Sequence, residues 1–516
     1  MIVKINGKIK PYYVQTLAMI FFPGVRFPED EEENEETLHA YVEEEEKNGT
    51  LKVSVTIASG GRKVKVVAEE MLADGEVSFG SIDSDGVVRK DESFDDVERK
   101  RKKLVGDAFL KAAGEFTGYT PPWGSLTGVR PAKVATEILS SGITRDDAVK
   151  KITEKYHAER IKASLAVDVA LSEASIITDE KRKECSVYIA IPFCPTRCAY
   201  CSFVSYTSPG LLKLIPDYLN TLALDIDNIF SVIREFGLKV STVYIGGGTP
   251  TVLNEEQLEF LLSNIRKNIS DFEEFTLEAG RPDTINRKKL KIAAEYGVTR
   301  LSVNTQTLND EVLKKIGRAH SSEMFFEAYG IARESGIRDI NVDLIAGLPY
   351  DTTESFINTI NRIIALQPEN ITVHTFSVKR ASEFKKEGDK FDRSSIVAAE
   401  SVEYSQKVLS EAGYLPYYMY RQKNTVGNLE NVGYSLPGHE GLYNVFMMEE
   451  VHSIFSAGAS SVTKFVSLPD EKGNVKIDRL FHPKYPYEYL RDYTKGNALE
   501  KREALRKSFA DFLTKR

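Results

Sequence analysis

Between positions 187 and 378 short apolar runs return with a regular beat: VYIAI at 187–191, then 240–245, 275–277, 301–303, 340–345 and 371–376. Helix-like stretches such as 254–269 and 352–364 separate them. Repeated strand–helix units of this length predict parallel strands joined by right-handed crossovers. Six units suit an open or partial barrel, a fold whose ligands gather at the C-terminal ends of the strands. Every chemical motif in this stretch can therefore be judged by whether it falls at a strand end.

The first strand runs into YIAIPFCPTRCAYCSF, 188–203, which holds three of the four cysteines. Cys194, Cys198 and Cys201 form a CxxxCxxC triplet in a loop opened by Pro192 and Pro195. Three thiolates this close point to a soft metal or a cluster rather than to disulfides. An iron–sulfur cube needs four ligands and a structural zinc knot wants a fourth Cys or His. The only other thiol, Cys185, stands before the strand and reads as a small buried apolar residue. A missing fourth ligand leaves one metal position open, as in catalytic sites.

Reduced thiolates belong in a reducing compartment, and the opening MIVKINGKIK has neither the apolar core nor the cleavage site of a signal peptide. A cytoplasmic protein is expected. No run approaches the ~18 apolar residues of a membrane span. The formal charge of −8 lacks the basic surplus of a general nucleic-acid binder, while leaving room for a local basic pocket.

With the cysteine loop, the glycine run and the strand-end residues together, the chain resembles a radical S-adenosylmethionine (SAM) enzyme. More narrowly, YIAIPFCPTRCAYCSF and WGSLTGVRPAK (123–133) resemble the oxygen-independent coproporphyrinogen III oxidase group and its HemZ-like branch. The resemblance implies an α/β fold, a six-unit partial TIM-type barrel, with a 4Fe-4S cluster on Cys194, Cys198 and Cys201 and SAM on the fourth iron. VYIGGGTPT (243–251) ends a strand in three glycines, which by themselves fit a close backbone approach and a plain turn about equally. By resemblance Gly247, Gly248 and Thr249 take the aminocarboxylate end of SAM. Glu278, in FTLEAGRPD, can accept from ribose hydroxyls or pair with Arg281. Gln306, Arg318, whose planar fork suits a carboxylate, and Asp343 are implied as further SAM contacts, with Tyr188 and Tyr200 against it. No side chain is assigned as the abstracting group, because the 5′-deoxyadenosyl radical takes the hydrogen.

The implied activity is that of an oxidoreductase: oxidative decarboxylation of coproporphyrinogen III propionates to vinyl groups, giving protoporphyrinogen IX. A tetrapyrrole is thus the implied substrate, and flavodoxin or ferredoxin the implied kind of reducing donor. Alternatives on the same scaffold are a radical tetrapyrrole methyltransferase, a haem-degrading enzyme, or a haem-binding chaperone that keeps its cluster. The haem-trafficking HemW group carries an HNxxYW signature; here GNLENVGYS has Gly427 where the histidine would stand and no tryptophan. Ala190 replaces a histidine found in the cysteine strand of much of the wider family.

The chain of 516 residues is too long for one core. An N-terminal α+β domain is expected over 1–180, the barrel over 181–378, and a C-terminal α+β region shaping the substrate site over 379–516. In the first, 1–9, 51–57 and 64–67 read as strands with a hairpin across Gly60-Gly61, and 12–22 and 94–116 as helices. The acidic block 29–46 reads as a solvated loop or helix face. In the last region Lys379, Arg380, Arg421 and Lys423 are cations able to pair with propionates, though for each of them solvated surface is the favoured reading.

Overall fold

The structure, a computed structural model, describes residues 1–22, 24–28, 36–72, 92–126, 128, 130–201, 205–377, 391–422, 425–470, 473–495 and 498–514. It divides into two compact units, Met1–Val167 and Asp168–Arg516.

The first unit opens with β1 (Ile2–Asn6) and α1 (Pro11–Phe21), followed by β2 (His39–Lys47), β3 (Thr50–Ser59) and β4 (Arg62–Met71). The strands lie in that order in one sheet, β1 parallel to β2 and the others antiparallel. Gly60 and Gly61 make the β3–β4 turn with φ of 56° and 74°, the left-handed backbone that a tight hairpin requires. Alternate strand residues Val42, Val53, Val55 and Ile57 are buried with Val14 and Leu17 of α1 and Phe109 of the long α2 (Glu92–Thr117). The second glutamate run is strand rather than loop or helix: Glu43–Glu46 lie on β2, and Glu44 is buried in a 2.9 Å ion pair with Arg101. The first run falls at 31–35, outside the described residues. After α2 come α3 (Pro131–Leu139), α4 (Arg145–Tyr156) and α5 (Arg160–Ile176). The only tryptophan, Trp123, is fully buried, and its loop bonds to the α4–α5 turn through Ser125 N to Tyr156 O (2.8 Å) and Glu159 N to Pro122 O (2.8 Å).

The second unit begins with β5 (Cys185–Ile191), α6 (Pro209–Leu212), α7 (Ile215–Glu235), β6 (Val240–Gly247), α8 (Glu255–Asn268), β7 (Glu274–Glu278) and α9 (Arg287–Glu295). It continues through β8 (Arg300–Ser302), α10 (Asp310–Lys315), α11 (Ser322–Glu334), β9 (Asp339–Ala346), α12 (Thr353–Ala365) and β10 (Asn370–Thr375). These six strands are parallel neighbours in chain order, the α/β partial barrel that the beat of apolar runs predicts. Helices α8 to α12 each start on an Asn, Ser or Thr (Asn254, Asn286, Asn309, Ser321, Thr352) whose side chain accepts the N–H of the third helical residue.

The chain beyond adds α13 (Phe391–Glu411), β11 (Leu415–Arg421), β12 (Glu430–Ser435), α14 (Leu442–Met448), β13 (Ser453–Ala457), β14 (Val462–Val466), β15 (Ile477–Phe481), α15 (Pro486–Lys495) and α16 (Ala498–Thr514). Its strands do not form a sheet of their own. β12 and β11 extend the barrel sheet antiparallel beyond β10, while β13 lies parallel to β5 and carries β14 and β15 at the far edge. The result is one eleven-stranded sheet, and the strands after position 379 flank the barrel on both sides.

Candidate metal centre and the inner barrel face

The cysteine loop leaves β5 at Ile191 and is clamped from three sides. Gly248 N donates to Ile191 O (2.8 Å) and Thr249 N to Phe193 O (2.8 Å), so the glycine run after β6 lies directly against the loop. On another side Arg281, almost fully buried and held by Asp283, donates to the carbonyl and hydroxyl of Thr196. On the third, Ala199 N donates to Ile316 O (3.0 Å). The loop returns through Tyr206, whose carbonyl accepts from Cys194 N (3.1 Å).

The glycines are required by this packing. A Cβ on Gly248 would lie 2.5 Å from the Phe193 carbonyl oxygen, and one on Gly246 2.7 Å from Glu278 Oε2. What approaches closely is the protein's own loop and carboxylate, where the sequence reading offered a ligand or a plain turn. Thr249 likewise faces the loop: its hydroxyl lies 3.3 Å from Cys194 Sγ.

Cys194 and Cys198 are buried and Cys201 is half-buried, with Cys201 N bonded to Cys198 O (3.1 Å); none of the four cysteines is in a disulfide. Burial pushes the Cys194 thiol up, opposed by the Thr249 hydroxyl and the Arg281 charge. Arg318 and Cys198 are mutually within electrostatic range of Tyr200. Among the described residues no three His, Cys, Asp or Glu side chains stand together as a ready metal site. The fit of a cluster rests instead on donor chemistry: three cysteines on one clamped loop, with two buried arginines near them to favour thiolates. Cys185, by contrast, is fully buried in β5, where desolvation drives its thiol well above the ordinary range, as befits an inert packed residue.

The remaining sequence-predicted residues fall into two groups. Tyr200, Arg318 and Gln306 belong to the loops around the cysteines. Arg318 is buried and donates Nη1 to Tyr200 Oη (2.8 Å), Nη2 to Gly280 O (2.8 Å) and Asn304 O (2.6 Å), and Nε to His320 Nδ1 (3.3 Å). Its fork therefore already holds three loops together. Gln306 sits in left-handed backbone (φ 71°) between bonds to Asp343 O and Ile345 N. Its buried side-chain oxygen has no hydrogen-bond partner, an acceptor left for a donor such as a cofactor hydroxyl or amine.

Glu278, Asp343 and Tyr188 belong to the inner face of the barrel. Along each parallel strand the helix-facing residues are apolar and buried: Val187, Ile189, Val243, Ile245, Leu277, Ile340, Val342, Ile371 and Val373 among them. The alternate residues are polar. Ser186, Thr242, Thr276, Ser302, Asn341 and Thr372 line the middle, linked by Thr242 Oγ1 to Ser186 Oγ (2.8 Å), Asn341 Nδ2 to Ser302 Oγ (3.2 Å) and Thr372 Oγ1 to Asn341 Oδ1 (3.0 Å). Towards the cysteines stand Tyr188 and Tyr244, stacked on each other and on Tyr443 of α14, with ring centroids 4.6–6.3 Å apart. Beside them Glu278 accepts from Gly247 N (3.2 Å), and burial, with the Asp343 carboxylate adding to it, pushes it up to about 8. Asp343 accepts from Asn304 and Asn341 (2.8 Å each) and faces His374 at 3.8 Å; these donors outweigh desolvation and hold it below the ordinary carboxylate range. One carboxyl is thus kept neutral and its neighbour ionised.

The opposite end is closed by an ionic plug. Arg300 meets Glu274, Asp339, Asn370 and the carbonyls of His439 and Glu440, while Glu274 caps Leu442 N (2.7 Å) at the start of α14. The plug is what aims Tyr443 into the tyrosine stack. Arg281, offered from sequence as a partner for Glu278, pairs with Asp283 instead. Tyr244, Tyr443, Asn304, Asn341, His374 and Arg300 were not singled out from sequence; for Tyr244, Asn341 and His374 the signal was alternation inside strands read as simply apolar. Lys379, Arg380 and Lys423 lie outside the described residues; Arg421 is buried in β11 and donates to Asn428 O (3.2 Å), so it is not a solvated surface cation.

A clamped cysteine triplet at the C-terminal ends of parallel strands defines the class, and the radical SAM superfamily pattern matches residues 188–363. That superfamily uses a 4Fe-4S cluster and SAM. The chain belongs to the HemZ-like branch of the oxygen-independent coproporphyrinogen-III oxidase group: it is 38% identical over 398 residues to the oxygen-independent coproporphyrinogen-III oxidase-like protein HemZ of Bacillus subtilis, covering 75% of this chain and 78% of that protein. It is also 40% identical over 202 residues to the haem chaperone HemW of B. subtilis, covering 39% of this chain and 52% of that one. Among solved structures, coproporphyrinogen III oxidase (HemN) from Escherichia coli aligns with a TM-score of 0.46 and 23% identity, over 63% of this chain and 72% of that chain. Among the described residues no helix is long and apolar enough to cross a membrane.

Proposed function

We propose that the protein is a cytoplasmic enzyme that oxidatively decarboxylates two propionates of coproporphyrinogen III, giving protoporphyrinogen IX. When bound, the cluster on Cys194, Cys198 and Cys201 and the SAM beside it supply a 5′-deoxyadenosyl radical able to take a hydrogen atom from the β-carbon of a propionate. The observation that carries the reading is the inner barrel face: a tyrosine stack beside the Glu278 and Asp343 carboxyls. The stacked phenol rings offer flat apolar contact to pyrrole rings, and the ionised Asp343 and its amide neighbours accept and donate to polar edges. In this reading Gly247, Glu278 and Gln306 receive SAM, Gln306 through its unpartnered oxygen. Thr249 and Gly248 hold the cysteine loop. Arg318 with Tyr200 braces the SAM side. These residues also exclude water from the site, since Arg281, Arg318, Gln306 and Thr249 are all buried.

A haem-chaperone reading has the HemW relatives behind it. Against it stands Gly427, at the place of their signature histidine, with no tryptophan after it in GNLENVGYS. Anaerobic turnover of the reconstituted protein with dithionite, SAM and coproporphyrinogen III, followed by mass spectrometry, tests the proposal. Sequential loss of two carboxyl groups with 5′-deoxyadenosine formed alongside is expected. S-adenosylhomocysteine with a methylated tetrapyrrole would indicate methyl transfer instead, and stoichiometric haem binding without turnover would indicate a chaperone.

A further inference from the structure

We propose that His374, with Tyr420 beside it, binds a carboxylate of the substrate on the inner face of the barrel. The inference rests on the reading of that substrate as a tetrapyrrole bearing propionates. Its location comes from the strand register. His374 stands one residue before the end of β10, on the same face as Thr372 and at the ligand end of the parallel strands. Its Nε2 faces Asp343 Oδ2 at 3.8 Å and its Nδ1 faces Tyr420 Oη at 3.5 Å. Both distances are longer than the ~2.7–3.2 Å of a well-formed bond, so the protein consumes neither ring nitrogen.

The surroundings suit a flat ligand. Beyond β10 the inner face continues onto β12 and β11. Gly433 of β12 lies opposite both Thr372 and Tyr418, and the Tyr418 ring covers it so closely that a Cβ there would run into the ring. Tyr420 stacks beside Tyr418, with centroids 6.5 Å apart and 11° between planes. In sheet order β9 and β10 lie between β6, which carries Tyr244, and β11, which carries this second pair of phenols. Asp343 is in electrostatic range of Tyr244, Tyr418 and Tyr420 alike. The Asp343–His374 pair therefore stands between two sets of aromatic rings.

Charge points to the group His374 would take. The arginines that border this face are committed: Arg300 to Glu274 and Asp339, Arg281 to Asp283 and Thr196, and Arg318 to Tyr200, Gly280 and Asn304. The His374 side chain is 28% exposed, and Asp343 beside it is fixed by Asn304 and Asn341. An imidazolium between Asp343 and a propionate donates one N–H to each. The Gln422 amide lies against the Tyr420 oxygen, which leaves the phenol hydrogen to donate. Nδ1 and Oη, 3.5 Å apart, can then each serve one oxygen of the same carboxylate. Rings on either side and a donor pair between them favour a macrocycle with acid side chains over one without.

The test uses reconstituted full-length protein with SAM and two unreactive probes, coproporphyrin III and its tetramethyl ester, titrated by porphyrin fluorescence. The variants are His374→Leu, His374→Lys and Tyr420→Phe. His374→Leu is expected to weaken binding of the acid about tenfold and leave that of the ester as in wild type, because only the acid offers a charged partner. His374→Lys, which restores a cation, should recover most of the loss, and Tyr420→Phe should lose about threefold for the acid alone. Equal losses for acid and ester in His374→Leu would make the residue a packing element and overturn the proposal, as would no loss for either. Should the leucine variant fail to fold, the acid-to-ester ratio in Tyr420→Phe decides, and a ratio equal to that of wild type overturns it. Failure of the proposed reaction has a different signature: a preference for the acid that depends on His374, but no vinyl product from wild type with coproporphyrinogen III. Vinyl product without that preference keeps the reaction and removes the site.

Discussion

Replacing Glu278 by glutamine in the cofactor-free protein should remove a loss of stability that develops as pH rises through the neutral range. Below about 4.5 the folded and unfolded chains both carry the proton; between there and about 8 only the folded chain keeps it, so the unfolded state gains by releasing it. Stability contributed at this position therefore falls as pH rises through that window. At about 1.4 kcal/mol per tenfold change in proton affinity, a displacement from 4.5 to about 8 amounts to roughly 5 kcal/mol at pH 9. That is a ceiling, because the side chain is only partly covered and its Asp343 neighbour relaxes with it. Glutamine keeps an acceptor for Gly247 N–H and has no proton to lose. Thermal unfolding of wild type and Glu278→Gln, measured from pH 5 to 9, should give similar midpoints at pH 5 and a variant that is several degrees more stable at pH 9, at roughly 2 °C per kcal/mol in a unit of this size. Parallel curves for the two proteins would refute the neutral carboxyl, and so would a wild type that gains stability relative to the variant as pH rises.

Alanine at Cys194, Cys198 or Cys201 should abolish reconstitution of the cluster, while alanine at the strand-buried Cys185 should leave iron content near wild type; iron and sulfide analysis with visible absorbance checks both. Gly248→Ala forces a methyl against the Phe193 backbone, which a flexible side chain could yield to but a clamped loop cannot. A cost of roughly 1–3 kcal/mol and poor cluster retention are expected, read from the denaturant midpoint and from iron loss over time. Arg300→Ala leaves Glu274 buried without its cation, while Asp339 keeps Arg338 and His439, and should destabilise the second unit by roughly 3 kcal/mol; Glu274→Gln, which keeps an acceptor for Leu442 N–H, should cost clearly less in the same urea titration.

The order of the six parallel strands was legible because each is a short apolar run set between helix signals, and the cysteine triplet because its spacing admits few chemistries. The C-terminal region was harder. β12 pairs with β10 across some fifty intervening residues, Ile371 opposite Tyr434, and β13 returns beside β5, Phe455 opposite Val187. Pairings of such range leave no local trace in composition or periodicity. The polar inner face escaped for another reason. Runs such as SVYIAI and NVDLIA look continuous to an average, although Ser186, Tyr188, Asn341 and Asp343 alternate in them with the residues that meet the helices.

The same distinction separates two jobs that motif residues do here. Gly248, Thr249, Arg281 and Arg318 spend their contacts on the protein: two backbone bonds and a hydroxyl on the cysteine loop, a fork on Asp283 with the remaining Nη1 donating to Thr196, and four donations that join Tyr200, Gly280, Asn304 and His320. Glu278, Gln306 and Asp343 stand on the interior: Glu278 accepts from Gly247 N, Asp343 from Asn304 and Asn341, and the Gln306 side-chain oxygen has no partner. A cluster held by Cys194, Cys198 and Cys201 would need ligands that move little, and the bonds from Gly248, Thr249, Arg281 and Ala199 would supply that rigidity. Spacing in the sequence reports both kinds of residue alike, since each must recur at a strand end. Only the hydrogen-bond partners separate those that hold the loop from Gln306, whose buried oxygen is left open.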